Sequence, residues 1–366
     1  SFGQRTLPQL HYWKGHPVRG SRVKSMHDSV QTASSDTKPA SARYLAISRS
    51  GETLSNPDGT VHYLGAVPEA LGGGETPSEG DAPSQAQATG SALLARTVLR
   101  PSPVLDATAG GNTARDAAEN TDEKTYQVHA LYCEDETLQA IAATLQEAGE
   151  EVRVSTNGFR YYPVHADPLG RARYAAALAW RDYLIEMRYS AYTGEEAPLG
   201  RKGIRRTVEG EMVFPRIEPA VMALVISREG QQILLANNRQ WHPNRFALIA
   251  GFVDPGENLE EATAREVYEE TGLRVLRSEY RMSDVWPFPR SLMICYRVTV
   301  DEREPIVHHD GEIRSARWFT APALREAIAL SEQRGNSGQD DPAKLELPGT
   351  NAVARRMIDD WLAEKP

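Results

Sequence analysis

Residues 251–273 read GFVDPGENLEEATAREVYEETGL, and the rest of the chain is best understood outward from them. No glycine or proline interrupts Leu259 to Thr271. Asn258 is a favourable N-cap, and Glu261 three residues later completes a capping-box pattern. Gly272 suits the left-handed position that ends a helix. On the helix so predicted, Glu266 and Glu270 lie one turn apart and Glu269 lies three residues from Glu266, so three carboxylates leave one face. Unpaired acids that close repel, and some would be driven to hold protons. A cluster of hard oxygen donors instead suits Mg²⁺ or Mn²⁺. Gly251 and Gly256 predict a tightly turning loop before the helix, with Glu257 placed to reach back toward it. A solvated acidic face is the plain alternative, but it gives no reason for Arg265 and the glycines to stand at these offsets.

The flanks read as strands. Ala220–Ser227 and Gln231–Ala236 form a hairpin pattern around Arg228-Glu229-Gly230. Phe246–Ala250 runs into the quoted stretch, and Leu292–Val300 and Ser315–Phe319 follow it. Helical text closes the chain at Ala321–Ser331 and Asn351–Ala363. Strands with interspersed helices predict an α/β sandwich.

Upstream, Ala42–Ser48, Thr60–Leu64 and Val152–Ser155 read as strands of an N-terminal α/β domain. Helical spacing recurs over Glu134–Gly149 and again over Asp167–Arg188, where Ala176, Trp180, Tyr183, Leu184 and Met187 form a stripe that reads as packing. Gly72–Gly90 and Ala107–Thr125 are rich in small, polar and acidic residues and predict loops. Ser190–Phe214 is a polar connector. The expected division is 1–166, 167–218 and 219–366.

The chain has 366 residues, enough for two domains. Its net charge of −9 disfavours a general nucleic-acid coat protein but leaves room for a small anionic substrate held by local arginines and cations. No apolar run approaches the ~20 residues that cross a bilayer. The first thirty residues hold no apolar h-region, so no secretory signal is expected. The only cysteines, Cys133 and Cys295, lie far apart, which fits a reducing cytoplasm.

Gly251, Glu257, Arg265-Glu266, Val267, Glu269-Glu270, Gly272 and Leu273 match the Nudix box at every position. Seven fixed residues, each at a background of roughly 5–7%, make a chance match rarer than about 10⁻⁸ per start point. Ten residues past the box, Ser283-Asp284-Val285-Trp286-Pro287-Phe288-Pro289-Arg290-Ser291 resembles the SQPWPFPxS signature of NADH pyrophosphatases of the NudC family. Asp284 and Val285 stand where that signature has Gln and Pro.

The resemblance runs from about Phe159 to the C-terminus. It implies an N-terminal α/β domain, a small ribbon-like connector and a Nudix α/β/α sandwich, assembled as a homodimer. It implies Mg²⁺- or Mn²⁺-dependent hydrolysis of the diphosphate of NADH or NAD⁺ to nicotinamide mononucleotide and AMP, and the same cut at the 5′ end of NAD-capped RNA. Glu266, Glu269, Glu270 and Glu312, with the Ala250 carbonyl, match metal ligands. Glu257 and Arg265 complete the catalytic set. Phe214 and Phe252 match aromatic positions at the dinucleotide's bases, Ala354 the position near the adenine, and Arg160 an N-terminal substrate contact. Asp284–Ser291, with Asp284, Trp286, Phe288 and Ser291, would be a nicotinamide-side selector loop.

The family's zinc ribbon carries two CxxC pairs. Here Ser190 and Thr193 replace the first pair, and Arg206 and Glu209 the second. These four make no thiolate site, so a ribbon-shaped remnant without zinc is expected. Two other readings stay open at this point. One is a pyrophosphatase for ADP-ribose or another nucleoside diphosphate. The other is a Nudix-like sensor that binds without cleaving, although the intact glutamates count against it.

Overall fold

The computed structural model describes residues 41–65, 93–99, 126–155, 158–200, 204–309, 311–333 and 345–365. The loop readings for 72–90 and 107–125 lie outside the described residues. Among the described residues, no helix is long and apolar enough to cross a membrane.

The N-terminal sheet contains β1 (Ser41–Ser48), β2 (Thr53–Ser55), β3 (Leu93–Leu99), β4 (Tyr126–Cys133) and β5 (Arg153–Ser155), in the order β3-β4-β1-β2-β5. Only β1 and β4 pair in parallel. Alternation along β1 divides the core. Leu45 and Ile47 face α2 (Pro168–Arg181), where Tyr174, Ala175, Ala177 and Leu178 are buried. Tyr44 and Ala46 face α1 (Asp135–Glu147) through Leu138, Ile141 and Ala142.

Several expectations change here. Thr60–Leu64 is not a strand; Val61 and Leu64 make isolated bridges to Ser55 and Tyr44. The helix expected over Asp167–Arg188 ends at Arg181 and continues as a π-turn over Asp182–Glu186. Of the expected packing stripe, Tyr183 and Leu184 are buried and Ala176, Trp180 and Met187 pack half-buried against the same core, which also buries Arg171, Tyr174, Ala175 and Leu178.

The connector is held together by hydrogen bonds. Strands β6 (Arg205–Arg206) and β7 (Met212–Val213) pair as a hairpin. Two tight turns end on left-handed glycines, Gly194 and Gly210. The Ser190 hydroxyl accepts the amides of Tyr192 and Thr193 and donates to Glu211 at 2.7 Å. Arg205, 5% exposed, donates to the carbonyls of Tyr183, Leu184 and Ala197, so it satisfies acceptors at the end of the π-turn.

The second sheet has the order β11-β12-β8-β9-β13. Its strands are β8 (Glu218–Ser227), β9 (Gln232–Asn238), β10 (Ile249–Phe252), β11 (Arg277–Trp286), β12 (Ser291–Val300) and β13 (Ile313–Thr320). The hairpin read at Arg228–Gly230 is present, with Gly230 left-handed. β8 is shared lengthwise: Ala220–Ala223 pairs with β10, and Val225 and Ile226 pair with β9. β12 runs parallel to β8. Ala220, Leu224 and Ile226 point to the side covered by α4 (Ala321–Gln333) and α5 (Val353–Ala363). Ala223 and Val225 point to the side of α3 (Leu259–Thr271), where Val267 is buried. This is the α/β/α sandwich that the sequence predicts.

The strand expected at Phe246–Ala250 is displaced to Ile249–Phe252; Ala247 makes only a bridge to Ala236. β2, β3, β4, β6, β7 and β11 are strands the sequence reading does not contain. β11 also corrects the selector loop: Asp284, Val285 and Trp286 are strand residues paired to β12, and the turn is confined to Pro287–Arg290.

Replacing Arg205 with Met strands three carbonyls away from water. Urea denaturation should show the variant destabilised by about 2–4 kcal/mol; an unchanged midpoint would contradict this account of the connector.

Candidate active site

α3 begins and ends as its sequence predicts. Asn258 accepts the Glu261 amide at 2.9 Å, Glu261 accepts the Asn258 amide at 3.1 Å, and Gly272 is left-handed. The last-turn carbonyls are taken by a segment far along the chain. Val307 and His309 donate backbone amides to Thr271 and Glu269, and the His308 Nδ1–H donates to the Glu270 carbonyl at 2.6 Å. The His309 ring stacks on Tyr268. This clamp fixes the segment that leads to Glu312.

Arg265 organises the acids. Its Nε and Nη2 donate to the two Glu257 oxygens at 2.7 and 2.9 Å. Its Nη1 donates to Glu266 at 2.7 Å and Glu269 at 3.0 Å, and Nη2 also reaches the Phe252 carbonyl at 2.9 Å. All five N–H groups are thereby used. Glu257 also accepts the Asp254 amide, closing the loop around the left-handed Gly256. Arg265 holds the Glu257 carboxyl below the ordinary glutamate value.

Glu266 is raised instead. Burial outweighs the Arg265 bonds, and the charges of Glu269 and Glu312 add to the shift. The Glu266 carboxylate lies against the backbone of Gly251, where a Cβ would collide with it. Gly251 therefore serves close approach, not the tight turn read from sequence, and sits inside β10 beside Ala250. Glu270 is 6% exposed.

Arg265 draws Glu266 and Glu269 onto its guanidinium, and among the described residues no three acidic or thiol or imidazole groups converge as a metal cluster. The donor chemistry still fits a hard divalent ion, because the Glu266 carboxylate occupies the space that a methyl group on Gly251 would fill, beside the Ala250–Gly251 backbone.

The other expected residues fall in three places. Phe214 and Phe252 are exposed, at 57% and 51%. Trp286 and Phe288 meet edge to face and pack on the N-terminal core, and the Arg160 guanidinium lies over both rings. Asp284 is held by Arg171 and Arg356, Ser291 is buried in β12, and the Ala354 side chain is in the core under α5. Sequence reasoning missed Arg171, Asn351, Arg356 and the His308–His309 clamp. Arg171 could have been found, since it stands at helical spacing from Tyr174 and Leu178 on the buried face.

Gly251→Ala should displace the Glu266 carboxylate and weaken Mn²⁺ binding by about tenfold or more in a calorimetric titration. A cation competes with the proton on Glu266, so Mn²⁺ affinity should fall as pH drops through a value above the ordinary 4.5. Affinity constant down to pH 4.5 would contradict that.

Residues 216–338 match the NUDIX domain family. The chain is 39% identical over 191 residues to the NAD-capped RNA hydrolase NudC of Mycobacterium tuberculosis, covering 52% of this chain and 58% of that protein. It is 44% identical over 115 residues to NudC of Chromobacterium violaceum, covering 31% and 42%. It is 33% identical over 154 residues to the NAD-capped RNA hydrolase NUDT12 of Macaca fascicularis, covering 42% and 31%. The chain thus spans less than two thirds of each relative's length. The capped helix, its arginine-bound glutamates and these matches together identify residues 216–338 as a NUDIX domain similar to that of the NudC proteins.

Proposed function

We propose that the chain hydrolyses the diphosphate bond of NADH or NAD⁺ to nicotinamide mononucleotide and AMP, and the same bond in NAD-capped RNA. The observation that carries the reading is the Arg265 network, which gathers Glu257, Glu266 and Glu269 beside the Gly251 backbone. The relatives named as NAD-capped RNA hydrolases support the substrate class. Glu266, Glu269, Glu270, Glu312 and the Ala250 carbonyl would hold Mg²⁺ or Mn²⁺, which when bound neutralises diphosphate charge and acidifies a water.

The chain's own residues do the rest. Arg265 keeps Glu257 ionised and fixes the loop over β10. Phe214 and Phe252 offer exposed rings for stacking a base, and Trp286 and Phe288 offer an aromatic wall for the other. Arg160 over that wall supplies a cation for the substrate's negative charge.

One observation favours a second reading. Asp284 is committed to Arg171 and Arg356, so it is not open to a nicotinamide amide, and ADP-ribose would need no such partner. The division at 166 and 218, a homodimer, a cytoplasmic setting and a zinc-free ribbon belong to the same proposal. The hydrogen-bonded Ser190 turn supports the last.

The test incubates the protein with NADH, NAD⁺ and ADP-ribose plus Mg²⁺ or Mn²⁺ and follows AMP. Turnover of a nicotinamide dinucleotide is expected, and Glu270→Gln should lower its rate by about 10²-fold or more with the fold intact. Turnover of ADP-ribose alone selects the second reading, and no turnover of any substrate removes both.

A further inference from the structure

One buried ion network joins the N-terminal sheet to the Nudix domain and lies outside the cluster on α3. The Arg171 side chain is 9% exposed and that of Asp284 11%. Arg171 Nη1 and Nη2 donate to the two Asp284 oxygens at 3.0 and 2.8 Å. Arg171 Nε donates to the Asn351 side-chain carbonyl, and Nη2 also reaches the Asn351 backbone carbonyl at 3.3 Å. Arg356 approaches the same Asp284 carboxylate at 3.3 Å. The Asn351 amide in turn donates to the Phe159 carbonyl.

What this network touches is aromatic. The Arg171 guanidinium lies 5.2 Å from the Phe159 ring centre. Phe159 meets Trp286 and Phe288 edge-on at 5.8 and 6.0 Å. Asp284 and Trp286 are two residues apart on β11, so their side chains leave the same face of the strand. A bidentate arginine–carboxylate pair fixes direction as well as distance. A buried pair adds little net stability over an apolar one, so stability alone is a weak reason for it.

We propose that Arg171 and Asp284 are a positioning pair by which the N-terminal sheet's own helix sets the orientation of the Trp286–Phe288 wall, and so the choice of the base beyond the diphosphate. The substrate side of this rests on the function proposed above. Asp284 stands where the NudC signature has Gln.

Two measurements test it. In the first, Arg171→Lys keeps the charge and loses the fork, and Asp284→Asn keeps the shape and loses the charge. Both should raise the KM for NAD⁺ about tenfold, leave kcat within about twofold, and leave the KM for ADP-ribose unchanged. The doubly substituted protein should be no worse than either single variant. Equal losses on both substrates, or no loss on NAD⁺, overturn the proposal.

The second measurement needs no turnover. With 5-fluorotryptophan incorporated, the ¹⁹F resonance that disappears in Trp286→Phe should shift or broaden in Asp284→Asn while the other five tryptophan signals stay. An unmoved Trp286 signal overturns the positioning role whatever the substrate. Failure of the wild type to cleave NAD⁺, with the Trp286 signal moved, counts against the proposed substrate and not against the pair.

Discussion

The Arg265 guanidinium meets four carboxylate contacts and one carbonyl with its five N–H groups, and the candidate site depends on that balance. Three acids from a loop and a helix cannot sit this close without a positive charge among them. A lysine would not serve, because its single ammonium cannot address Glu257 on one side and Glu266 and Glu269 on the other at fixed angles. The bond to the Phe252 carbonyl ties the same group to β10, so the acids, the loop and the sheet edge share one fixed point.

The remaining architecture can be traced from that point. β10 exists as a separate strand because β8 is long enough to pair with it along one half and with β9 along the other. The helix that carries the acids is bounded at its start by its own residues and at its end by Val307–His309, which arrive from beyond β12. That long connection leads on to Glu312, just before β13.

Much of this was legible in the sequence, and the reasons differ by element. The box helix could be read in full because every signal for it is local: the Asn258–Glu261 box, an uninterrupted run, and Gly272. β8, β9 and β12 could be read from apolar runs bounded by turn residues. β11 could not, since Arg277–Trp286 is mostly polar, buries no residue fully and becomes a strand only by pairing with β12 at the sheet edge. Gly251 was read as a turn residue because nothing in the sequence reveals that Glu266 lies over it. Asp284 seemed free for ligand because its partners lie 113 residues before it and further along at Arg356.

The connector has a further consequence. Its two turns are closed by a hydroxyl, backbone amides and a carboxylate, with left-handed glycines at their ends. A module closed by thiolates and a metal opens when peroxide takes the sulfur or a chelator takes the ion. This one contains no cysteine. Its turns are held by a hydroxyl, backbone amides and buried arginine contacts, so their closure does not depend on the redox state of a thiol.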